Sequence, residues 1–132
     1  VMAIDAQILT VYDGGQTCTL QIIGKDDGAV GQMETNVIKV DVSELNPPCL
    51  TVKIEEIQYD VQGGTVTLSW DDLTVKPFAH LKGSDRLNYR REGGLQNLAD
   101  PQSRSGDILL STENFYPDGN YTILLKLRKK FA

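Results

Sequence analysis

The chain has 132 residues, of which 18 are acidic and 13 are basic, so its formal net charge at neutral pH is −5. This length predicts one domain over residues 1–132, large enough to bury a core without disulfides or a metal. The acidic balance makes nucleic-acid binding an unfavoured function, because that function needs clustered positive charge. No apolar run exceeds four residues, so no membrane-spanning segment is predicted.

The charge is distributed unevenly along the chain. Residues 1–66 carry ten acids and three bases, a net charge of −7, whereas residues 67–132 carry eight acids and ten bases, a net charge of +2. If the two halves of the sequence formed two sides of the fold, one side would suit docking and the other would face solvent. We treat this as a hypothesis, since sequence halves need not be sides.

Alternating apolar and polar residues, which are typical of half-buried strands, run through most of the chain. Asp13-Gly14-Gly15 predicts the turn of a first hairpin, and Pro47-Pro48 predicts a stiff turn later in the chain. The predicted strands span 4–12, 16–23, 35–42, 50–59, 65–70, 75–81, 107–111 and 120–128.

Three local features refine the strand pattern. The buried face changes at Glu55-Glu56, which indicates a β-bulge or a shift between faces. Gln62-Gly63-Gly64 predicts a turn between two strands, and the phase of Trp70 with Val66 and Leu68 places its ring in the core. Pro77 assigns the strand at 75–81 to a sheet edge.

Residues 82–106 lack regular patterning and are predicted to form a long loop or arm, tethered by Leu87, Tyr89, Leu95 and Leu98. Such long loops in compact domains are frequently functional. No stretch of ten or more residues has helical periodicity. The expected fold is therefore all-β: an antiparallel β-sandwich, jelly-roll-like or Greek-key, with one long irregular loop.

No catalytic or metal-binding constellation is evident in the sequence. His80 is the single histidine, no nucleophile motif accompanies it, and its position predicts an edge-strand residue with one polar contact. Cys18 is in phase with Leu20, and no signal peptide is expected, so Cys18 and Cys49 are predicted to be free, buried thiols. Asp26-Asp27 and Asp71-Asp72 end predicted strands, where turn chemistry explains them better than calcium. We expect no cofactor, no metal and no enzymatic activity.

Two basic patches and one aromatic pair are candidates for partner binding. Arginine and tyrosine are enriched at interface hot spots, and the predicted loop contains both types. Basic residues also end the last predicted strand, where Lys126 and Arg128 are expected to face outward. The candidate interface residues are Arg86, Tyr89, Arg90, Arg91, Phe115 and Tyr116.

Four stretches resemble small virion structural proteins encoded among the head genes of short-tailed bacteriophages. They are ILTVYDGGQTCTLQIIGKDDG, VIKVDVSELNPPC, IEEIQYDVQGGTVTLSWDD and GDILLSTENFYPDGNYTILLKLRKKF, and the resemblance extends from Ala3 to Phe131. It implies a capsid decoration, or cement, protein that binds the outside of the assembled head and ties neighbouring subunits together. The implied partner is the major capsid protein, with a homo-oligomer as a further possibility. The implied location is the capsid exterior of the virion, after synthesis in the host bacterial cytoplasm.

Two alternatives stay open at this stage. The first is a head–tail connector, neck or tail component, which differs from a cement protein in place and symmetry. The second, more remote, is a carbohydrate-binding β-sandwich module. The predicted burial of Trp70 disfavours the carbohydrate module, because such a module needs an exposed aromatic platform.

Overall fold

A computed structural model describes residues 4–26, 36–45, 48–72, 74–95, 97, 106–113 and 119–131. Seven strands and two three-residue 3₁₀ helices, Val42–Glu44 and Arg90–Glu92, make up the regular structure in this part of the chain. The predicted all-β antiparallel class is confirmed. The strands are β1 (Ile4–Asp13), β2 (Thr17–Asp26), β3 (Val37–Val40), β4 (Thr51–Trp70), β5 (Lys76–Asn88), β6 (Ile108–Glu113) and β7 (Asn120–Lys130).

The strands form one curled antiparallel sheet in the order β1-β2-β7-β4-β6-β3, and β5 pairs with the other edge of β4. β7 pairs with the first part of β4 and β6 with its last part, so both lie along the same edge of β4. The separation into two hydrogen-bonded sheets that defines a β-sandwich is not confirmed. Among the described strands, β1, β3 and β5 each pair with one neighbour.

The predicted turn at Gln62-Gly63-Gly64 is wrong, because β4 continues through it as one strand of 20 residues. Its pairing with β5 shifts between Val61 and Val66, so the intervening residues form a bulge in place of a turn. Gly63 adopts a left-handed φ of 79°, and a β-carbon there would lie 3.0 Å from the Gly119 backbone. The two glycines therefore bend the strand without ending it.

β4 curls so strongly that both of its ends approach the same dipeptide, Gly106-Asp107. At the start of β4, the Thr51 hydroxyl donates to the Gly106 carbonyl at 3.4 Å. At its end, the Asp71 amide donates to the Asp107 carbonyl at 3.1 Å. A straight strand of this length would separate its ends by roughly 65 Å, so the bend is a dominant feature of the fold.

Among the described residues, the inner surface of the curled sheet encloses one hydrophobic core. Trp70 is buried as predicted, and its ring stacks on Phe78 at a centroid distance of 4.5 Å. Alternate residues of β7 point inward as predicted. The largest fully buried side chains are Trp70, Tyr121, Ile22, Ile54, Ile57, Leu68, Leu81, Ile108, Leu110, Ile123, Leu125 and Leu127.

The predicted irregular segment at 82–106 is wrong for its first seven residues, which form the second half of β5. Leu87, Tyr89 and Leu95 act as tethers, since all three pack on the core and Leu95 bridges to Ile54. Of the two alternatives predicted at Glu55-Glu56, a β-bulge or a shift between faces, the structure shows a bulge, because the register between β4 and β7 shifts between Ile54 and Glu56. Leu98 lies outside the described residues.

Candidate functional site

The predicted interface residues are distributed over two places. Arg86 lies on β5, with its side chain 59% exposed. Arg90 and Arg91 are exposed on the 3₁₀ helix beyond the end of β5. Phe115 and Tyr116 lie outside the described residues, so their assignment to the interface stays a prediction.

Tyr89 connects β5 to this 3₁₀ helix, and it has a structural role. Its amide donates to the Glu55 carbonyl at 2.9 Å, and its ring packs against the core. Burial, together with the nearby Tyr59, raises the pKa of the Tyr89 hydroxyl. The side chain is half-buried, so it supports the position of Arg90 and Arg91 more than it offers contact area.

Glu56 links the two basic patches that the sequence places far apart. Its carboxylate contacts Arg86 of β5 at 3.2 Å and Lys126 of β7 at 3.3 Å, although the Glu56 side chain is only 1% exposed. The Gln58 amide donates a third contact at 2.8 Å. Burial alone would raise the pKa of Glu56, but the bond from Gln58 and the two cations outweigh it and lower the pKa. Glu56 is therefore a fixed negative charge beneath the exposed Arg86 and the half-buried Lys126.

Lys53 and Arg128 add two further cations to the same side of the sheet. They are direct cross-strand partners on β4 and β7, which places their side chains side by side on one face. Arg128 also lies two residues from Lys126, and alternate residues of a strand share a face. We call these four cations, Lys53, Arg86, Lys126 and Arg128, the basic face.

A shallow trough of about 620 Å³ adjoins the basic face. Gln21, Leu124, Gln58 and Arg86 form one cross-strand row through it, over β2, β7, β4 and β5. Asp60 lies in the next row and accepts hydrogen bonds from Gln62 at 2.6 Å and Ser84 at 2.7 Å, which lower its pKa. The trough therefore offers both hydrogen-bonding groups and one apolar side chain.

A second surface, which we call the apolar edge, is formed by Ile8, Leu9, Val11 and Tyr12 of β1. Each of these side chains is between 44% and 60% exposed. Ile8 pairs with Ile22 and Leu9 with Gln21, so successive side chains lie on opposite faces of β1 and both faces are open. Val11 sits at a register shift, where the strand bulges.

A cavity of about 370 Å³ separates β1 and β2 from β3 and the 3₁₀ helix that comes after β3. Its apolar lining includes Ile8, Leu20, Ile38 and Leu45. Ile38 of β3 is also half exposed, so the two end strands of the sheet present apolar side chains around the same cavity. Exposed apolar surface of this kind is typical of interaction sites.

Lys129, one of the basic residues that end the last strand, does not belong to a surface patch. Its side chain is fully buried, and its ammonium group donates to Asp13 at 2.5 Å and to the Gly14 carbonyl at 2.7 Å. These bonds fix the β1–β2 turn to the last strand. Nearby, burial first and the Asp13 carboxylate second raise the pKa of Cys18 to about 11, which suppresses thiolate formation.

The remaining candidates for chemistry have structural positions. His80 lies exposed on β5, and its Nδ1 is 3.1 Å from the Thr67 hydroxyl, which confirms the predicted edge-strand position with one polar contact. Both cysteines are free, as predicted; Cys18 is buried, but the expectation that Cys49 is also buried is wrong, because it is half-buried. Within the described ranges, no three residues of the types that ligate metals come together.

No helix in the described part of the chain has the length and apolar character needed to cross a membrane.

The sequence interpretation missed Lys53 and Glu56 as members of a surface site. The sequence did predict that Lys126 and Arg128 face outward, because apolar and polar residues alternate strictly in the last strand. The partner strand was not evident, and the bulge at Glu55 changes which residues of β4 share a face with them. A correct pairing of β4 with β7 would have been needed to find the site.

Comparison with known proteins gives no relative. No protein-family model matches the chain, and no curated protein or solved structure matches it significantly.

Proposed function

We propose that this chain is a structural virion protein of a tailed bacteriophage, a cement protein that binds the outer surface of the assembled capsid. In this role it ties neighbouring capsid subunits together and has no catalytic activity. The proposal starts from the resemblance that extends from Ala3 to Phe131. The structural observation that carries it is the apolar edge, an end strand of the sheet with apolar side chains exposed on both faces.

The apolar edge supports binding to an extended segment of a capsid subunit. Among the described strands, β1 pairs only with β2, so its other edge can accept a further strand. A new strand would gain main-chain hydrogen bonds from β1 and side-chain contacts with Ile8, Leu9 and Tyr12.

The apolar edge and the basic face lie on strands that belong to one sheet and one core. β2 and β7 connect them directly, and Lys129 fixes the β1–β2 turn to β7. A protein that ties two subunits needs two contact surfaces whose relative position is fixed. This arrangement favours a bridging role over a single-contact binding module.

Imaging of intact particles tests the position in the virion. We expect density for this chain at many positions over the shell. A ring of a few copies at one vertex would contradict the cement assignment and establish the connector, neck or tail alternative. Trp70 is 1% exposed, so a carbohydrate platform built on its ring has no support in the structure.

The double variant Leu9→Lys with Val11→Lys tests the apolar edge. Charged residues on an edge strand oppose pairing with a further strand, so capsid occupancy is expected to fall about tenfold. Since both side chains are exposed, the melting temperature should stay within about 2 °C of wild type. Occupancy is measured by co-sedimentation with capsids that lack the protein.

The matched control for this double variant is Leu50→Lys with Phe131→Lys. These side chains are also exposed and apolar, and they lie outside β1 and β3. Occupancy close to wild type is expected for the control. An equal loss in both double variants would assign the effect to net charge and remove the apolar edge from the interface.

A further inference from the structure

We propose that the basic face is a docking surface for a cluster of carboxylates on a partner protein. For the identity of that partner, a capsid subunit, this inference rests on the proposed function. For the chemistry that the face recognises, it rests on the arrangement of Lys53, Arg86, Lys126 and Arg128 alone.

The pairing of Lys53 with Arg128 is the first argument. Directly opposed side chains on antiparallel strands have β-carbons about 5 Å apart, and like charges there destabilise the sheet. Among the described residues, neither side chain takes part in an ion pair. The charges of this pair do not stabilise the fold, whereas an anion bound between the two cations would turn their repulsion into attraction.

The fixed position of the other two cations is the second argument. Glu56 contacts both Arg86 and Lys126, and the charge–charge attraction restricts where those long side chains can go. Ordering such side chains beforehand reduces the entropy lost on binding. Arg86 remains 59% exposed and Lys126 34% exposed, so both can contact a partner while they stay bound to Glu56.

The charge balance favours local carboxylates over a nucleic acid. The four cations and Glu56 together carry +3, so the rest of the chain carries −8. An extended polyphosphate is held by many cations along its length, and the rest of this chain carries a net negative charge. The side chains directly between the cations, Thr17, Thr19 and Gln58, are hydrogen-bonding groups. The exposed ring of Tyr12, on which an unpaired base can stack, lies one strand further out, opposite Thr19. Arginine also matches the planar geometry of a carboxylate.

The test measures binding of poly-L-glutamate to the full chain and to the variant Lys53→Glu at low salt. The dissociation constant is expected to rise about tenfold in the variant. At the same time, the introduced carboxylate would oppose Arg128 as a favourable pair, so the melting temperature should rise by about 1–4 °C. If Lys53→Glu is more stable than the wild type but binds poly-L-glutamate more weakly, Lys53 serves binding and not the stability of the fold.

The matched control is Lys82→Glu, which makes the same charge change at an exposed residue of β5 outside the basic face. Its affinity for poly-L-glutamate should remain within about twofold of wild type. Equal loss in both variants would overturn the proposal, as would undetectable binding by the wild type. Tighter binding to duplex DNA than to poly-L-glutamate would overturn the choice of partner.

Capsid binding, measured with the same variants, separates this inference from the proposed function. Suppose that Lys53→Glu binds poly-L-glutamate more weakly than the wild type, but the wild type does not bind capsids. This result would support the carboxylate site and contradict the cement function. If the wild type coats capsids and Lys53→Glu binds poly-L-glutamate as the wild type does, the cement function stands and this inference fails.

Discussion

At the residue scale, Glu56 illustrates how burial and charge compete at one carboxylate. The side chain is 1% exposed, and desolvation of this kind disfavours the charged form. The hydrogen bond from Gln58 and the charges of Lys126 and Arg86 reverse that effect, so the pKa of Glu56 lies below its ordinary value. Glu56 therefore remains ionised at neutral pH and holds β5, β4 and β7 together on the outer face.

The lowered pKa of Glu56 predicts a specific pH dependence of stability. A carboxyl whose pKa is lower in the folded state stabilises the fold above its unfolded pKa of about 4.5, and this contribution disappears as the pH falls through the folded pKa. The variant Glu56→Gln should lose about 1–2 kcal/mol of unfolding free energy at pH 7. Urea unfolding at several pH values between 7 and 3 measures both effects.

In the same urea series, the difference between wild type and Glu56→Gln should shrink toward pH 3, because protonation removes the charge from Glu56 in the wild type. Asp60→Asn should show the same trend with a smaller difference at pH 7, since the pKa of Asp60 is also lowered by two hydrogen bonds but the side chain is exposed. A constant difference across the pH range would contradict the assigned role of the Glu56 charge.

Lys129 is a buried charge that contributes to the fold and not to the outer face of the sheet. Its ammonium group is fully buried and bonded to Asp13 and Gly14, so it links the chain's last strand to its first turn. Buried ion pairs are costly to desolvate, but loss of one partner leaves an uncompensated charge. This lysine therefore contributes to the connection between the apolar edge and the rest of the sheet, not to the surface charge.

At the element scale, β4 organises the molecule because it is long, bent and paired on both edges. A bulge at Gly63-Gly64 lets its two parts face a common core, and a second bulge at Glu55 shifts which residues face outward. Gly106 lies where the two ends of β4 approach each other. Its φ is 88°, and a β-carbon there would overlap the Leu50 carbonyl oxygen.

Gly106→Ala should therefore destabilise the fold by about 2–4 kcal/mol, because both the φ angle and the close contact oppose a side chain. Gly15→Ala is the matched control, since no atom lies within 4 Å of the β-carbon it would add. The control should change stability by no more than about 0.5 kcal/mol. Thermal unfolding of both variants measures the difference, and equal melting temperatures would contradict the close approach of β4 to Gly106.

At the scale of the whole molecule, the two sequence halves do not become two sides of the fold. The basic face takes Lys53 from the acidic half and Arg86, Lys126 and Arg128 from the other half. Glu56, from the acidic half, lies beneath them. A chain of net negative charge thus presents a local positive surface, because the fold collects these four cations from segments far apart in sequence.

Arg90 and Arg91 are two further exposed cations, on the 3₁₀ helix that follows β5. The double variant Arg90→Glu with Arg91→Glu is expected to lower capsid occupancy without lowering the melting temperature, since neither side chain is buried. The loss should be largest at low salt, because salt screens exposed charges. Equal binding of wild type and variant in moderate salt would remove this 3₁₀ helix from the interface.

The sequence by itself determined the features that depend only on residues close to each other along the chain. Alternation marked the strands, placed Trp70 and the inner residues of β7 in the core, and located the bulge at Glu55. These features depend on the two-residue period of a strand, which each segment carries without reference to any other. The edge position of His80 followed from the nearby Pro77, and the tethering by Tyr89 and Leu95 followed from their being isolated apolar side chains in a polar segment.

Tertiary structure alone decided which segments became neighbours. The pairing of β4 with β5, β6 and β7 is set by contacts between residues far apart in sequence, and two glycines that predict a turn locally form a bend once β5 pairs across them. The meeting of Lys53, Glu56, Arg86, Lys126 and Arg128 depends on that pairing. The burial of Lys129 depends on the β1–β2 turn beside it. Charge sets what such a group can bind, but only the fold decides which charges share a surface.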